Sequence, residues 1–243
     1  MFEKKIEIRI LVVIPAYNEE GKIGLVVSSI PKDKGYSILV IDDNSSDNTS
    51  QEAAAAGADI LKNSETQGVG SVIRRGVEYA KEKSFSIVVV MAGNSKDDGR
   101  QIERLTDPII NNGYDFVQGS RFLKKGFYGR MPLYRLIATK YVHPLLFSFF
   151  CRKRITDSTN GFRAIKMAVL DDKRIDLYQD WLNKYELEPY LFFKVINLGY
   201  RVTEAAVSKI YPTKKISYTK MRPIIDWWLI LKPIFLLGLG LKK

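Results

Sequence analysis

Cysteine and histidine each occur once in this 243-residue chain, as Cys151 and His143. A single cysteine excludes an internal disulfide and any cysteine-built zinc cluster, which suits a reducing compartment. His143 has no second histidine or carboxylate at a ligand spacing, so it reads as structural. The chain also lacks any uninterrupted apolar run of the ~18–20 residues that a transmembrane helix needs. Its first residues, Met-Phe-Glu-Lys-Lys, precede a short β-like run with no small-residue cleavage site, so no signal peptide is expected. Acidic charge is scarce in the second half. Residues 1–122 carry 15 basic and 18 acidic side chains, net −3, whereas residues 123–243 carry 23 and 9, net +14. The second half should face anions, whether ligand phosphates, lipid headgroups or nucleic acid.

What is present is a core-forming composition, 46% hydrophobic. Runs at 8–14, 37–41 and 87–91 are short, rich in Val and Ile, and bounded by polar or turn residues, as buried parallel strands should be. Between and after them, 20–30, 48–56, 69–83 and 98–112 place apolar residues at helical spacing behind capping-type residues. The alternation predicts a doubly wound, mostly parallel α/β sheet flanked by helices. Ligands of such sheets sit beyond the carboxyl ends of the strands, here 15–19, 42–47 and 92–98. Past residue 120 the alternation weakens. Segment 131–150 reads as an amphipathic helix against lipid or core, 185–198 as a helix, 201–207 as a strand, and 210–223 as a loop rich in Lys, Tyr and Pro.

The first strand ends in Val-Val-Ile-Pro-Ala-Tyr-Asn-Glu-Glu and the second in Val-Ile-Asp-Asp-Asn-Ser-Ser-Asp-Asn-Thr. Tyr17 can offer a flat face to a base, while Glu19 and Asp42 or Asp43 can accept hydrogen bonds from base or ribose. Asp47 suits a helix cap. This motif pair closely resembles the start of glycosyltransferase family 2, whose catalytic domain has the GT-A fold, a doubly wound mixed, mostly parallel sheet flanked by helices. The resemblance continues through Gln67-Gly68-Val69-Gly70, Gly119-Ser120-Arg121-Phe122, the run from Asp157 to Arg163, and Tyr218-Thr219-Lys220. It covers nearly the whole chain and extends to the dolichol-phosphate mannose synthases and other polyprenyl-phosphate glycosyltransferases, which the chain resembles.

The resemblance implies a nucleotide-sugar pocket formed by Pro15, Ala16, Tyr17, Glu19, Asp42, Asp43, Gly68, Gly70, Ala92, Gly93, Asn94 and Lys215. It also implies transfer of a hexose from a GDP- or UDP-linked donor. Family members commonly carry Asp-X-Asp after the fourth strand to hold a divalent cation, but Ala92-Gly93-Asn94 stands here. Asn94 and Asp98 could form a weak Mg2+ or Mn2+ site with the donor phosphates. Alternatively Lys96, placed where the family often has a metal-contacting Gln, could neutralise the diphosphate without metal. An inactive nucleotide-sugar-binding or membrane-scaffolding relative is the remaining alternative. A polyprenyl-phosphate acceptor needs no base but does need cations to position it. Arg121, Arg163, Lys214, Lys215, Lys220 and Arg222 are the expected cations, and Glu188 is the candidate base should the acceptor be an alcohol.

The tail 224–241 combines Trp227, Trp228 and many Leu and Ile with Asp226, Lys232 and Pro233, and Lys242 and Lys243 follow it. That pattern suits an amphipathic helix at a bilayer interface, with a helix docked on the catalytic domain as the alternative. The expected organisation is a catalytic domain over 1–222, with nucleotide-sugar (1–122) and basic acceptor (123–222) halves, then an interfacial C-terminal helix over 223–243. The expected location is the cytoplasmic face of a membrane, peripherally attached. A nucleic-acid partner is not expected, because it leaves the strand-end motifs without a role.

Overall fold

Val and Ile fill the first strand, and the computed structural model, which describes residues 8–129, 131–211 and 225–242, buries that strand on both faces. β1 (Ile10–Ala16) lies between parallel neighbours β2 (Ser37–Asp42) and β4 (Ile87–Val90), where β-branched side chains pack well on a pleated surface. β3 (Asp59–Lys62) adds a parallel edge beyond β2. On the other side β7 (Arg163–Lys166) pairs antiparallel with both β4 and β5 (Phe116–Ser120), and β8 (Val202–Ala206) closes the sheet parallel to β5. The order is β3-β2-β1-β4-β7-β5-β8. The sheet is therefore mixed and mostly parallel, as the resemblance implies, through one inserted antiparallel strand. A separate parallel pair joins β6 (Phe127–Gly129) to β9 (Ser208–Ile210).

Alternation along the strands sorts the core into two layers. Leu11, Val13, Leu39, Ile41, Val88 and Val90 face one cluster, whereas Ile10, Val12, Ile14, Val40, Ile87 and Val89 face the other. Helices α1 (Ile23–Ser28), α2 (Thr49–Ala55) and α4 (Ile102–Asn112) contribute to the second cluster. α3 (Val69–Glu82) covers the first, lying so close to β1 that a Cβ on Gly76 would collide with Val13.

Segment 131–150 is not one regular helix. It forms α5 (Leu133–Ile137), a π-helical turn at Ala138–Val142, and α6 (His143–Cys151). Pro144 lacks an N–H and crowds the carbonyl four residues earlier, and a widened turn relieves that crowding. α7 (Met167–Leu170) and α8 (Leu187–Asn197) follow.

The tail forms α9 (Ile225–Gly238), which packs against α6 and α8. Ile234 is fully buried, Leu231 and Leu237 join the core, and Lys232 lies 3.9 Å from Glu186. His143 ties this corner together, with Nδ1 2.7 Å from Ser158 Oγ and Nε2 3.3 Å from the Ile230 carbonyl. Burial pushes its pKa down to about 4, so the ring is neutral near pH 7. Alongside, Leu133, Tyr134, Ile137, Tyr141, Val142, Leu145 and Phe149 form an exposed stripe, with Trp228, Leu239 and Leu241 exposed on or just after α9. Among the described residues no helix is long and apolar enough to cross a membrane.

Candidate functional site

β1, β2 and β4 all end at one edge of the sheet. Because β7 runs against them, its first residue, Arg163, stands in register with Val90, the last residue of β4, and reaches the same edge. The three loops leaving β1, β2 and β4 each contain a non-glycine residue in the left-handed region: Asn18 (φ 48°), Asn44 (φ 66°) and Ser95 (φ 57°). Such residues mark tightly determined backbone and cluster at functional sites. Together the loops border a cleft of about 780 Å³.

The first two loops hold each other. Asn18 N–H donates to Ser45 Oγ (2.9 Å), Ser46 N–H to Asn18 Oδ1 (2.9 Å), and Glu19 N–H to Thr49 Oγ1 (2.7 Å). Pro15, Ala16, Tyr17 and Glu19 line the cleft, with Tyr17 41% exposed there and Glu19 paired to Lys22 at 2.5 Å. The two aspartates diverge. Asp42 is fully buried, accepts from Ser45 N–H (2.8 Å) and the Ser50 hydroxyl, and does not line the cleft. Its place is inside the loop, as a brace. Asp43 does line the cleft, and accepts from Asn63 Nδ2 (2.8 Å) and from the backbone N–H groups of Gln67 (2.9 Å) and Gly68 (2.8 Å). A carboxylate has about four acceptor positions, so capacity for one ligand donor remains.

Gly68 lines the cleft with φ +98°, and a Cβ there would come 2.7 Å from the Asn183 carbonyl. Gly70 does not line it, because the turn at 182–184 packs against its α-carbon. Close helix-to-turn packing accounts for Gly-Val-Gly.

Beyond β4, Ala92, Gly93, Asn94 and Lys96 line the cleft. Asp98 does not. It caps the following 3-10 turn through Arg100 N–H (3.1 Å) and grips the Arg100 guanidinium at 2.9 Å, as acidic residues do at helix starts. Of the two expected metal ligands, Asn94 therefore lines the cleft, whereas Asp98 is engaged by Arg100 and does not. Asp97 is buried against Lys209, and no group of three His, Cys, Asp or Glu that could hold a metal exists among the described residues. Burial, with Lys209 and Arg135 nearby, brings the Lys96 pKa down to about 8.

At the far end, Arg121 is buried in a bidentate pair with Asp157 (2.6 and 2.8 Å), and also donates to Thr159 Oγ1 (2.7 Å) and Tyr211 Oη (3.1 Å). Burial opposes its charge, but Asp157 outweighs that and leaves its pKa raised. Arg121 lines not the main cleft but an adjoining pocket of about 130 Å³ between the π-helical turn and α9, whose walls include Ala138, Val142, Trp227, Ile230 and Leu231. Arg163 lines the main cleft, donating to the carbonyls of Glu188 (3.0 Å) and Asn160 (2.7 Å) and pairing with the Glu188 carboxylate at 3.2 Å. Its Nε is buried with no hydrogen-bond partner.

Sequence reasoning missed Lys209, Tyr211 and Arg135. Lys209 Nζ donates to both Asp97 oxygens (2.7 and 2.9 Å) and to Asn160 Oδ1 (3.1 Å). Tyr211 is buried, with Lys96 Nζ 5.3 Å and the Arg135 guanidinium 5.4 Å from its ring centre. The available signal was Arg135 as an isolated cation in an apolar helix. Around the cleft Lys22, Lys96, Arg135, Arg163, Lys184 and Lys209 outnumber Glu19, Asp43, Glu188 and Asp226, which favours an anionic ligand. Lys214, Lys215, Lys220 and Arg222 lie outside the described residues.

A profile described as glycosyl transferase family 2 matches residues 11–198. Polyprenol monophosphomannose synthase of Mycolicibacterium smegmatis is 28% identical over 223 residues, covering 88% of this chain and 81% of that protein. Dolichyl-phosphate hexose transferase of Haloferax volcanii is 30% identical over 200 residues, covering 81% and 80%. Among solved structures, glucosyl-3-phosphoglycerate synthase from Mycobacterium tuberculosis, in complex with Mn2+, uridine diphosphate and phosphoglyceric acid, superposes with a TM-score of 0.71 at 20% identity. That match covers 97% of this chain and 80% of the other, and at such identity it shows the GT-A fold.

Proposed function

Because this chain belongs to glycosyltransferase family 2, we propose that it moves a hexose from a nucleotide-sugar to the phosphate of a polyprenyl lipid at a membrane surface. The observation that carries this reading is the junction of two cavities. A cleft bordered by Tyr17, Glu19 and Asp43 adjoins a smaller, more apolar pocket through shared cationic walls, Arg135 and Lys209. The names of the two relatives support the same acceptor class.

In this reading Tyr17 stacks on the base, while Glu19 and Asp43 accept from base or ribose. The diphosphate lies along Gly68 and the 92–96 loop, near Lys96. Arg163, with its remaining buried Nε–H, meets the sugar or a phosphate oxygen, and its pairing with Glu188 gives that carboxylate an orienting role. A phosphate acceptor is already anionic, so no base is required. Arg135 holds the acceptor phosphate at the pocket mouth, and Arg121, saturated by Asp157, positions the wall through Thr159 and Tyr211. The first isoprene unit enters between the π-helical turn and α9. Lys215 and Lys220 belong to the same reading as cations near the donor diphosphate.

The exposed stripe on α5 and α6, with Trp228, supplies the face that meets lipid, flanked by Lys140, Arg152 and Lys153 for anionic headgroups. α9 serves this face as a docked helix whose inner side belongs to the catalytic body.

The test is transfer from radiolabelled GDP- and UDP-hexoses to polyprenyl phosphate in anionic liposomes. A glycosyl phospholipid product is expected. Leu145→Glu/Phe149→Glu should lower both liposome sedimentation and transfer by about tenfold or more while leaving nucleotide affinity unchanged. Absence of lipid product with every donor, from protein that still binds nucleotide, would reject the acceptor class.

A further inference from the structure

Departure of a nucleoside diphosphate requires positive charge on its phosphates. The wall after β4 offers a divalent ion very little. Ala92 and Gly93 bring no side-chain oxygen, Asn94 Oδ1 lies 3.3 Å from the Lys96 N–H, and Asp98 is engaged by Arg100 outside the cleft. The remaining carboxylate, Asp97, has a fully buried side chain that holds Lys209 by both oxygens. A divalent ion here would meet two ammonium groups, Lys96 and Lys209, on the same cleft wall. Mg2+ and Mn2+ favour hard anionic oxygens, so these residues do not fit either ion.

The same residues build a protein cation into that place. The 96–97 segment is fastened to β9, with Ile210 N–H donating to the Lys96 carbonyl (2.9 Å) and Asp97 bridged to Lys209. Lys209 uses its three N–H groups on Asp97 and Asn160, which makes it a fixed post. Lys96 leaves the fastened segment toward the cleft, its Nζ 5.3 Å from the Tyr211 ring centre.

Resting on the glycosyltransferase reading, we infer that the Lys96 ammonium, on a segment anchored by the Asp97–Lys209 pair, stands in for the divalent ion, so that donor binding and transfer proceed without metal. In the step itself an acceptor phosphate oxygen bonds to the anomeric carbon. The bond from that carbon to the diphosphate oxygen breaks, and its electron pair leaves with the nucleoside diphosphate. No proton need move, and Lys96 offsets the charge gathering on the leaving group.

Calorimetry of UDP and GDP on the chelator-treated full chain tests this without turnover. Affinity should agree within about twofold in EDTA and in millimolar Mg2+ or Mn2+. Lys96→Gln should weaken the diphosphate by about tenfold while leaving the matching nucleoside unchanged, with thermal unfolding as the check on folding. The triple change Ala92→Asp/Asn94→Asp/Lys96→Gln should acquire nucleotide-dependent Mn2+ binding, read by the paramagnetic resonance of the ion. Wild-type affinity rising about tenfold with either metal overturns the inference, as does Lys96→Gln weakening nucleoside and diphosphate alike. If neither nucleotide binds wild type with or without metal, the donor reading itself falls and takes this inference with it. Metal-dependent binding would overturn the inference alone.

Discussion

At the end of the cleft proposed to take the donor, polar side chains come from the loops after β1 and β2 and from the turn before α3, which bond to one another within residues 18–68. Asp42 accepts from Ser45 and Ser50, and Asp43 from the turn at Gln67 and Gly68. At the acceptor end the partners are distant: Arg121 reaches Asp157 and Tyr211, Lys209 reaches Asp97, and His143 reaches α9. The donor end therefore draws its polar contacts from the first part of the chain. The acceptor end exists only once the whole chain has folded, and its charges are buried ones whose loss damages the body as well as the site.

Asp157→Ala separates the two ends most sharply. It leaves Arg121 buried without its carboxylate, and removing one member of such a pair typically costs about 3–5 kcal/mol. A large drop in the urea midpoint is expected, and an unchanged midpoint would show that Arg121 finds water or another partner. The acceptor corner should also be sensitive to acid through His143. Its folded pKa of about 4 lies below an ordinary histidine, ~6.5. The unfolded chain therefore binds a proton that the folded chain refuses between those values. The contribution is complete above pH ~6.5 and is lost as pH falls towards 4, amounting to about 3 kcal/mol in all. Burial raises the pKa of Glu186 and Glu204, which acts in the opposite sense, so the quantity to measure is the difference between wild type and His143→Gln in urea denaturation at pH 7.5 and pH ~5. Equal pH slopes in the two proteins would remove His143 as the source. At the donor end Asp43→Ala should cost only about 1–3 kcal/mol of stability, by leaving the Gln67 and Gly68 N–H groups without their acceptor. Nucleotide affinity should nevertheless fall by about tenfold or more by calorimetry. A folded Asp43→Ala protein with full affinity would end the contrast between a local donor site and a global acceptor site.

Legibility in the sequence followed the same division. The central strands and helices α1 to α4 were readable from Val- and Ile-rich runs and helical spacing, because a strand buried on both faces leaves a continuous apolar run. The observed helices are somewhat shorter than the predicted segments. β7 was not readable: four residues, Arg-Ala-Ile-Lys, are too few to show a period, and its antiparallel insertion is a matter of pairing. Segment 131–150 announced an amphipathic helix against lipid or core, but neither the π turn nor which of its apolar residues would face outward.

By itself the sequence determined an α/β fold with motif-bearing loops at its strand ends, a basic second half, and Ala92-Gly93-Asn94 after β4. Those properties reside in composition and in neighbours a few residues apart. Only the tertiary structure decided which of two adjacent aspartates meets the cleft, that Asp98 serves Arg100, that Arg121 is a buried brace, and that Lys96, Arg135 and Lys209 gather around Tyr211. The physical reason is that a charged side chain's role is set by what desolvates and pairs it, and for Asp43, Arg121 and Lys209 those partners lie tens of residues away along the chain.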